Sequence, residues 1–198
     1  MCAETLARWA RTDWPGAPRV FVDPQPEDGA PAWGEVARVG RVGAAYGALL
    51  RAVLAEPGAD GDWVLLLEDD VDFHPRLAAL VRAWRALEDP CCAMASLFNP
   101  SLQGDGLPFS PPNTFGARPA SFLGAQALLL RRGAIRRAVA GWDGLSGVTS
   151  QRLARLLGGT GPIWVHRPSL VQHVAPDSCW GARVQRALDF DPAWGPSP

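Results

Sequence analysis

The chain has no lysine: all 19 of its basic residues are arginine. That absence excludes chemistries that need a lysine amine. A P-loop sets one on the nucleotide phosphates, a pyridoxal enzyme forms its Schiff base on one, and haloacid-type phosphohydrolases place one beside their Asp-x-Asp. An excess of charge is missing too, since 19 basic residues meet 20 acidic ones for a formal net charge of −1. A general nucleic-acid binder carries a basic footprint, so nucleic acid is not an expected partner. The four cysteines, Cys2, Cys91, Cys92 and Cys179, form no Cys-x-x-Cys pair and have no histidine at zinc-ligand spacing. The adjacent Cys91 and Cys92 are badly placed to bond each other, so neither a zinc site nor a disulfide framework is expected. Long apolar runs are absent as well. The strictly aliphatic runs at 64–67 and 128–130 fall far short of the ~18 residues that span a bilayer. Glu4, Arg8, Arg11 and Asp13 stand where a signal peptide would be apolar. The expectation is a reduced, cytoplasmic protein with no transmembrane segment. No Gly-x-Ser-x-Gly elbow occurs, so a serine hydrolase has no support.

What is present is a globular composition, 47% apolar in 198 residues, which fits one domain with one core. Glycine and proline, 21 and 19 residues, imply many ordered loops, and nine tryptophans offer broad faces for a core or for stacking on sugars. Leu6, Trp9 and Ala10 share a helical face that Pro15-Gly16 terminates. Arg19–Val22 reads as a strand, followed by a loop through Pro26, Gly29, Pro31 and Gly34. Val36, Val39, Gly43, Tyr46, Leu50 and Val53 predict a helix over 35–54 with one buried stripe, in which Gly40, Gly43 and Gly47 admit close approach to a sheet.

The run Trp63–Leu67 has the pattern of a strand covered on both faces in a parallel sheet. Further helical spacing follows from Pro75 to Leu87. Strands are expected at 93–98, 125–130 and 163–166, with 163–166 the last strand of the chain. Helices are expected at 133–140 and 147–157, the second with Ser146 or Thr149 as its cap. A long loop from Asn99 to Ser121 is of the length that binding loops and lids have. Strands alternating with helices indicate an α/β fold, a mixed and mostly parallel sheet flanked by helices. Residues 1–180 form one domain in this reading, and 181–198 form a tail.

The chemistry concentrates after the first long strand. Glu68, Asp69, Asp70 and Asp72 stand within five positions where that strand ends, and ligands of open α/β sheets bind beyond the carboxyl ends of strands. Carboxylates so close together repel unless something positive neutralises them, and hard oxygen ligands suit Mg²⁺ or Mn²⁺. A solvated acidic turn is the plainer alternative. Of the three histidines, His74 precedes Pro75 as a surface or cap residue, and His166 ends a strand as a hydrogen-bonded core residue. His173 lies in a turn-prone stretch as a metal ligand or proton carrier, with a structural role as the alternative. Asp143, beside Gly144, is either a turn former or a general base in a pocket walled by Trp142. Gly124 leads into a strand, where backbone can pass close to a ligand.

Four of these features follow one another in order: Leu67-Glu68-Asp69-Asp70-Val71, Phe122–Ala125, Asp143 and Pro168-Ser169-Leu170-Val171-Gln172-His173. In this the chain resembles the GT-A-fold glycosyltransferases, most of all the bacterial relatives of the N-acetylglucosaminyltransferase IV family. A weaker likeness is to the lipopolysaccharide galactosyltransferases. It extends from Leu6 to Ser178. The resemblance implies a GT-A-like, Rossmann-like fold and transfer of a sugar from a UDP-sugar to an acceptor hydroxyl, inverting and dependent on Mn²⁺ or Mg²⁺. Glu68 and Asp69, with Gly124, would contact the nucleotide sugar. Asp70 and His173 would hold the metal, with Asp72 as an alternate, and Asp143 would be the base. Trp142 and Trp180 are the aromatic faces for sugar stacking. Two departures are visible: the chain begins inside what corresponds to a helix, without the strand that opens such folds, and Ala175 stands where the relatives have glycine. The alternatives are a metal-dependent nucleotidyltransferase and a non-catalytic nucleotide- or sugar-binding remnant.

Overall fold

The computed structural model describes residues 2–21, 35–100, 114–117, 122, 124–159, 161–174 and 185–195. Seven strands are found among them: β1 (Trp63–Leu67), β2 (Val71–Phe73), β3 (Met94–Ser96), β4 (Thr114–Ala117), β5 (Ala127–Arg131), β6 (Ile163–His166) and β7 (Val171–His173). Five make one mixed sheet in the order β1-β5-β3-β6-β4, and β2 and β7 form a separate two-stranded ladder. The expected mixed α/β sheet is present, but it is not mostly parallel. Only β3 and β6 run parallel, because β5 returns antiparallel between β1 and β3, and β4 runs antiparallel beside β6. An unbroken apolar run reports coverage on both faces and says nothing of strand direction.

That coverage is real. Along β5, Leu128 and Leu130 face one core with Leu66, Met94, Ile163 and Val165. Ala127 and Leu129 face the other with Ala95, Leu97 and Phe98. The two-residue period therefore splits each strand between two helical layers. One layer holds α2 (Glu35–Ala55), α4 (Arg132–Gly141) and α5 (Thr149–Leu157), which bury Leu50, Ile135, Leu153 and Leu157. The other holds α1 (Cys2–Trp9), α3 (Leu77–Ala83) and a 3-10 turn at Arg85–Glu88, which bury Trp9, Leu77, Leu80 and Ala86.

Several sequence expectations are corrected. Residues 19–21 form no strand, and Val22 and the loop after it lie outside the described residues. The long loop contains β4, with the remainder of 101–121 outside the described residues. β6 is not the last strand, since three-residue β7 follows it. Neither Ser146 nor Thr149 caps α5: Val148 holds the N-cap position and no side chain bonds there. Gly43 and Gly47 of α2 admit the side chains of Arg152 and Trp142 rather than the sheet, and the surroundings of Gly40 lie outside the described residues. A Cβ on Gly47 would lie 2.5 Å from Cδ1 of Trp142, and Trp142 Nε1 donates to the Gly43 carbonyl at 2.6 Å. His74 is buried rather than at the surface; its Nδ1 accepts from the Arg76 amide at 3.0 Å, just before α3. In the segment read as a tail, residues 185–195 lie against the β2–β7 ladder and α3, with Ala187 3% exposed.

Two adjacent arginines fasten the connections. Arg131 donates to the carbonyls of Cys92, Gly61, Leu87 and Asp89 and lies 4.6 Å over the Trp63 ring. Arg132, 5% exposed, donates to Val53 and Leu54 at 2.9 Å each and to Glu56, the carbonyls that end α2. A guanidinium fork serves several acceptors at once where an ammonium would be a point charge. Replacing Arg132 by Met should therefore strip the α2 terminus of its partners and lower stability by about 3 kcal/mol in urea denaturation. A loss below half of that would show that water replaces the fork.

His166 supplies a pH dependence. Burial pushes its imidazole down to about 4, against the opposing pull of its Nδ1 bond to the Pro168 carbonyl and of the Asp189 charge. The unfolded chain, with an ordinary histidine near 6.5, then binds a proton that the folded state does not. Stability from this residue is complete above about pH 6.5 and falls as pH drops towards 4, by about 3 kcal/mol in all. The stability difference between the wild type and His166→Phe, followed by urea denaturation, should change over that window; a constant difference refutes the assignment.

Candidate functional site

The acidic segment occupies the passage between the sheet and the ladder. β1 ends at Leu67, and the Glu68 amide still bonds back to the sheet, donating to the Gln126 carbonyl at 3.0 Å. Two residues later the Asp70 carbonyl accepts from Val174 at 2.9 Å, already part of the β2–β7 pairing. Thr5 of α1 closes the turn from outside, its hydroxyl donating to the Asp69 carbonyl at 2.6 Å. A chain that must leave one sheet and join another within three residues has its backbone groups taken up on both sides.

This passage brings two of the expected ligands together. His173 Nε2 lies 3.0 Å from Asp70 Oδ2, and both side chains are mostly buried. The other ring nitrogen, Nδ1, lies 3.1 Å from the Gln185 carbonyl, an atom that can only accept, so Nδ1 carries a proton. Asp70 Oδ2 likewise faces the ring as an acceptor, so without a cation a proton lies between it and Nε2, and a metal ion would take that proton's place. Asp70 Oδ1 is buried with no hydrogen-bond partner among the described residues. A backbone carbonyl on the far nitrogen and a carboxylate beside the near one is the arrangement of a metal-binding histidine. The pair thus fits a divalent cation as two of its ligands. Among the described residues no three His, Cys, Asp or Glu side chains gather to hold a metal by themselves. Further donors would come from a ligand, as Mg²⁺ sites with one or two carboxylates and substrate phosphates do.

Glu68 lies deeper. Burial first, then the charges of Asp70 and Asp69, pushes its carboxyl up to about 8, so at neutral pH it is mostly a hydrogen-bond donor. Tyr46 of α2 is close to it: burial, with the Glu68 charge adding, raises the phenol above its ordinary value. Its ring stacks on Trp142 with centroids 5.8 Å apart, and its hydroxyl is buried without a partner among the described residues. Gln126 Oε1 is likewise unpartnered there. Gly124 has φ +99°, and a Cβ there would stand 3.0 Å from that oxygen and 3.2 Å from Phe98, whose ring meets His173 edge-on at 6.5 Å. Glu68, Asp70, His173 and Gly124 therefore share one neighbourhood. Tyr46 and Gln126 belong to it and were not singled out from sequence. Tyr46 read as one apolar position of a helical stripe, although it is the single tyrosine of the chain. Gln126 was the one polar residue in an otherwise apolar strand start.

Three expected residues stand elsewhere. Asp72 pairs with Gln172 across the ladder while Val71 pairs with His173, so strand alternation turns Asp72 to the opposite face. It accepts from the Phe73 amide at 2.9 Å, lies 3.9 Å from Arg11, and is removed as an alternate metal ligand. Asp143 sits in a 3-10 turn (Trp142–Gly144) with its side chain 77% exposed, bonded to Arg51 at 2.6 Å. Among the described residues no hydrogen bond or ion pair links it to the Asp70–His173 pair. Trp142 is fully buried in the core beneath Tyr46. Its indole fills the notch left by Gly47, and the Arg152 guanidinium, 5.5 Å from its ring, fills the one left by Gly43. Trp180 and Ala175 lie outside the described residues.

Neither Cys91 nor Cys92 is bonded; Cys91 is exposed, and burial pushes the Cys92 thiol up to about 12, which keeps it protonated. Among the described residues no helix is long and apolar enough to cross a membrane. No protein-family model matches the chain, and no curated protein matches it in sequence.

Proposed function

We propose that the chain is a metal-dependent glycosyltransferase that takes a UDP-sugar and an acceptor hydroxyl, with inversion. The observation that carries the reading is the 3.0 Å approach of His173 Nε2 to Asp70, with Asp70 Oδ1 left without a partner. Asp70 and His173 would hold Mn²⁺ or Mg²⁺, which when bound supplies positive charge for a diphosphate leaving group. Glu68, protonated at neutral pH, would donate to the nucleotide, and Asp69 would flank it. Tyr46 and Gln126 offer further polar atoms to the same ligand. Gly124 keeps the approach beside Phe98 free of a side chain. Asp143 would accept the proton of the acceptor hydroxyl, its Arg51 bond leaving one carboxylate oxygen open.

A second reading, a nucleotide- or sugar-binding protein without transfer, is favoured by one observation. Asp143 is drawn to Arg51 at the surface and has no described bond to the acidic passage. Turnover decides between the two.

In thermal-shift and calorimetric titrations, UDP with Mn²⁺ should raise the melting temperature of the wild type saturably, and neither alone should match the pair. Asp70→Ala should weaken Mn²⁺-dependent UDP binding at least 10-fold. A wild type that responds to neither sinks the reading. For the base, Asp143→Asn should lower turnover by about 10²–10⁴-fold and leave the melting temperature within a degree or two, since an exposed ion pair contributes little stability. Unchanged turnover would move the base elsewhere, and binding without turnover in the wild type would establish the second reading.

A further inference from the structure

We propose that Gln172 is a positioning residue that presents His173 Nε2 to the ligand site, by fastening residues 185–187 across the far side of the imidazole. The inference deepens the reading above, because it concerns the same histidine.

Gln172 and His173 are consecutive in β7 and so face opposite sides of the ladder. The Gln172 carboxamide closes on the backbone of a single residue. Its Nε2 donates to the Ala187 carbonyl at 2.9 Å, and its Oε1 accepts from the Ala187 amide at 3.0 Å. The same Oε1 accepts from the His173 amide at 3.0 Å. A primary amide carries one acceptor and two donors, so it pairs with a peptide group as a neighbouring strand would. Ala187 is 3% exposed and packed into the core with Val171 and Leu170, which seats the strap at the point that Gln172 grips.

Two residues before Ala187 stands Gln185, whose carbonyl lies 3.1 Å from His173 Nδ1. Holding Ala187 therefore holds that carbonyl within one dipeptide of its anchor. The carbonyl fixes the proton on Nδ1 and leaves Nε2 facing Asp70 Oδ2 at 3.0 Å. Two further tethers keep the strap in place without touching His173. Ser169 Oγ donates to Asp189 at 2.7 Å, and His74 Nε2 donates to the Trp194 carbonyl at 2.9 Å. Neither tether starts from β7, whereas Gln172 grips the strap from the residue next to the ligand histidine. Partners behind a metal-binding histidine set its tautomer and ring orientation, and losing one costs about 10–100-fold in metal affinity.

The test uses the full chain with ¹⁵N-labelled histidine, without metal for the His173 ring signals and with Mn²⁺ titrated by electron paramagnetic resonance. In the wild type the Nδ1–H held by the Gln185 carbonyl should give a resolved proton signal that exchanges slowly with water. Gln172→Met fills the same space with no hydrogen bonds and should speed that exchange and weaken Mn²⁺ binding about 10–100-fold. Gln172→Glu keeps the two accepted bonds and loses the donated one, and should fall between them; it also serves if the methionine variant folds poorly. Ser169→Ala, which removes the bond to Asp189 and the acceptor of the Asn99 amide, should lower the melting temperature and leave the His173 signal unchanged. A wild type without the slow Nδ1–H signal overturns the proposal, as does a Gln172→Met protein that keeps the wild-type exchange or the wild-type Mn²⁺ affinity. If the ring signal responds as expected while the wild type binds no Mn²⁺, Gln172 stands as a positioning residue and the transferase reading falls.

Discussion

The short ladder between β2 and β7 is the constraint on which the arrangement depends, because it pairs residues about a hundred positions apart and everything near the acidic passage is built against it. Val71 pairs with His173 and Phe73 with Val171. α1 closes over β2 through Thr5 and Trp9, the strap at 185–195 closes over β7, and Leu97 accepts from both Leu170 and Val171 to tie the ladder to the end of β3. Three strand residues on each side are a weak unit alone. Burial supplies the rest, since Val71, Phe73, Leu170 and Val171 are all at most 5% exposed.

One consequence is electrostatic. The passage between sheet and ladder is short, so Glu68, Asp69 and Asp70 cannot separate, and the two that turn inward lose water as well. Among the described residues the charges are met by a protonated Glu68 and by an imidazole beside Asp70. The arginines are employed elsewhere. Arg131 and Arg132 gather backbone carbonyls at the end of β5, Arg152 lies over Trp142, and Arg51 engages Asp143 at the surface. Among the described residues no arginine pairs with Glu68, Asp69 or Asp70.

Much of the element order was legible in the sequence, for reasons that differ by element. The stripe from Val36 to Val53 and the run Trp63–Leu67 are long and strongly periodic, and both elements form where expected. The short elements escaped. β7 is three residues long, and β4 interrupts a segment rich in turn formers, so neither has enough pattern to be seen. Residues 19–21 show the reverse error: β-favouring residues without a described partner make no strand, and Val22 lies outside the described residues.

The sequence by itself determined the layered α/β class and the position of the acids at the end of a buried strand, while the late histidine read as part of a turn lies in β7. These follow from local rules, periodicity and the cost of crowding like charges. Only the tertiary structure decided which members meet. Strand direction put β5 between β1 and β3, and pairing register set His173 opposite Val71, which placed Asp70 within reach and turned Asp72 away. Packing buried Trp142 against α2 and left Asp143 to Arg51. Register and packing are long-range properties: a shift of one residue in the ladder would exchange the faces of Gln172 and His173 while leaving every local pattern in the sequence as it is.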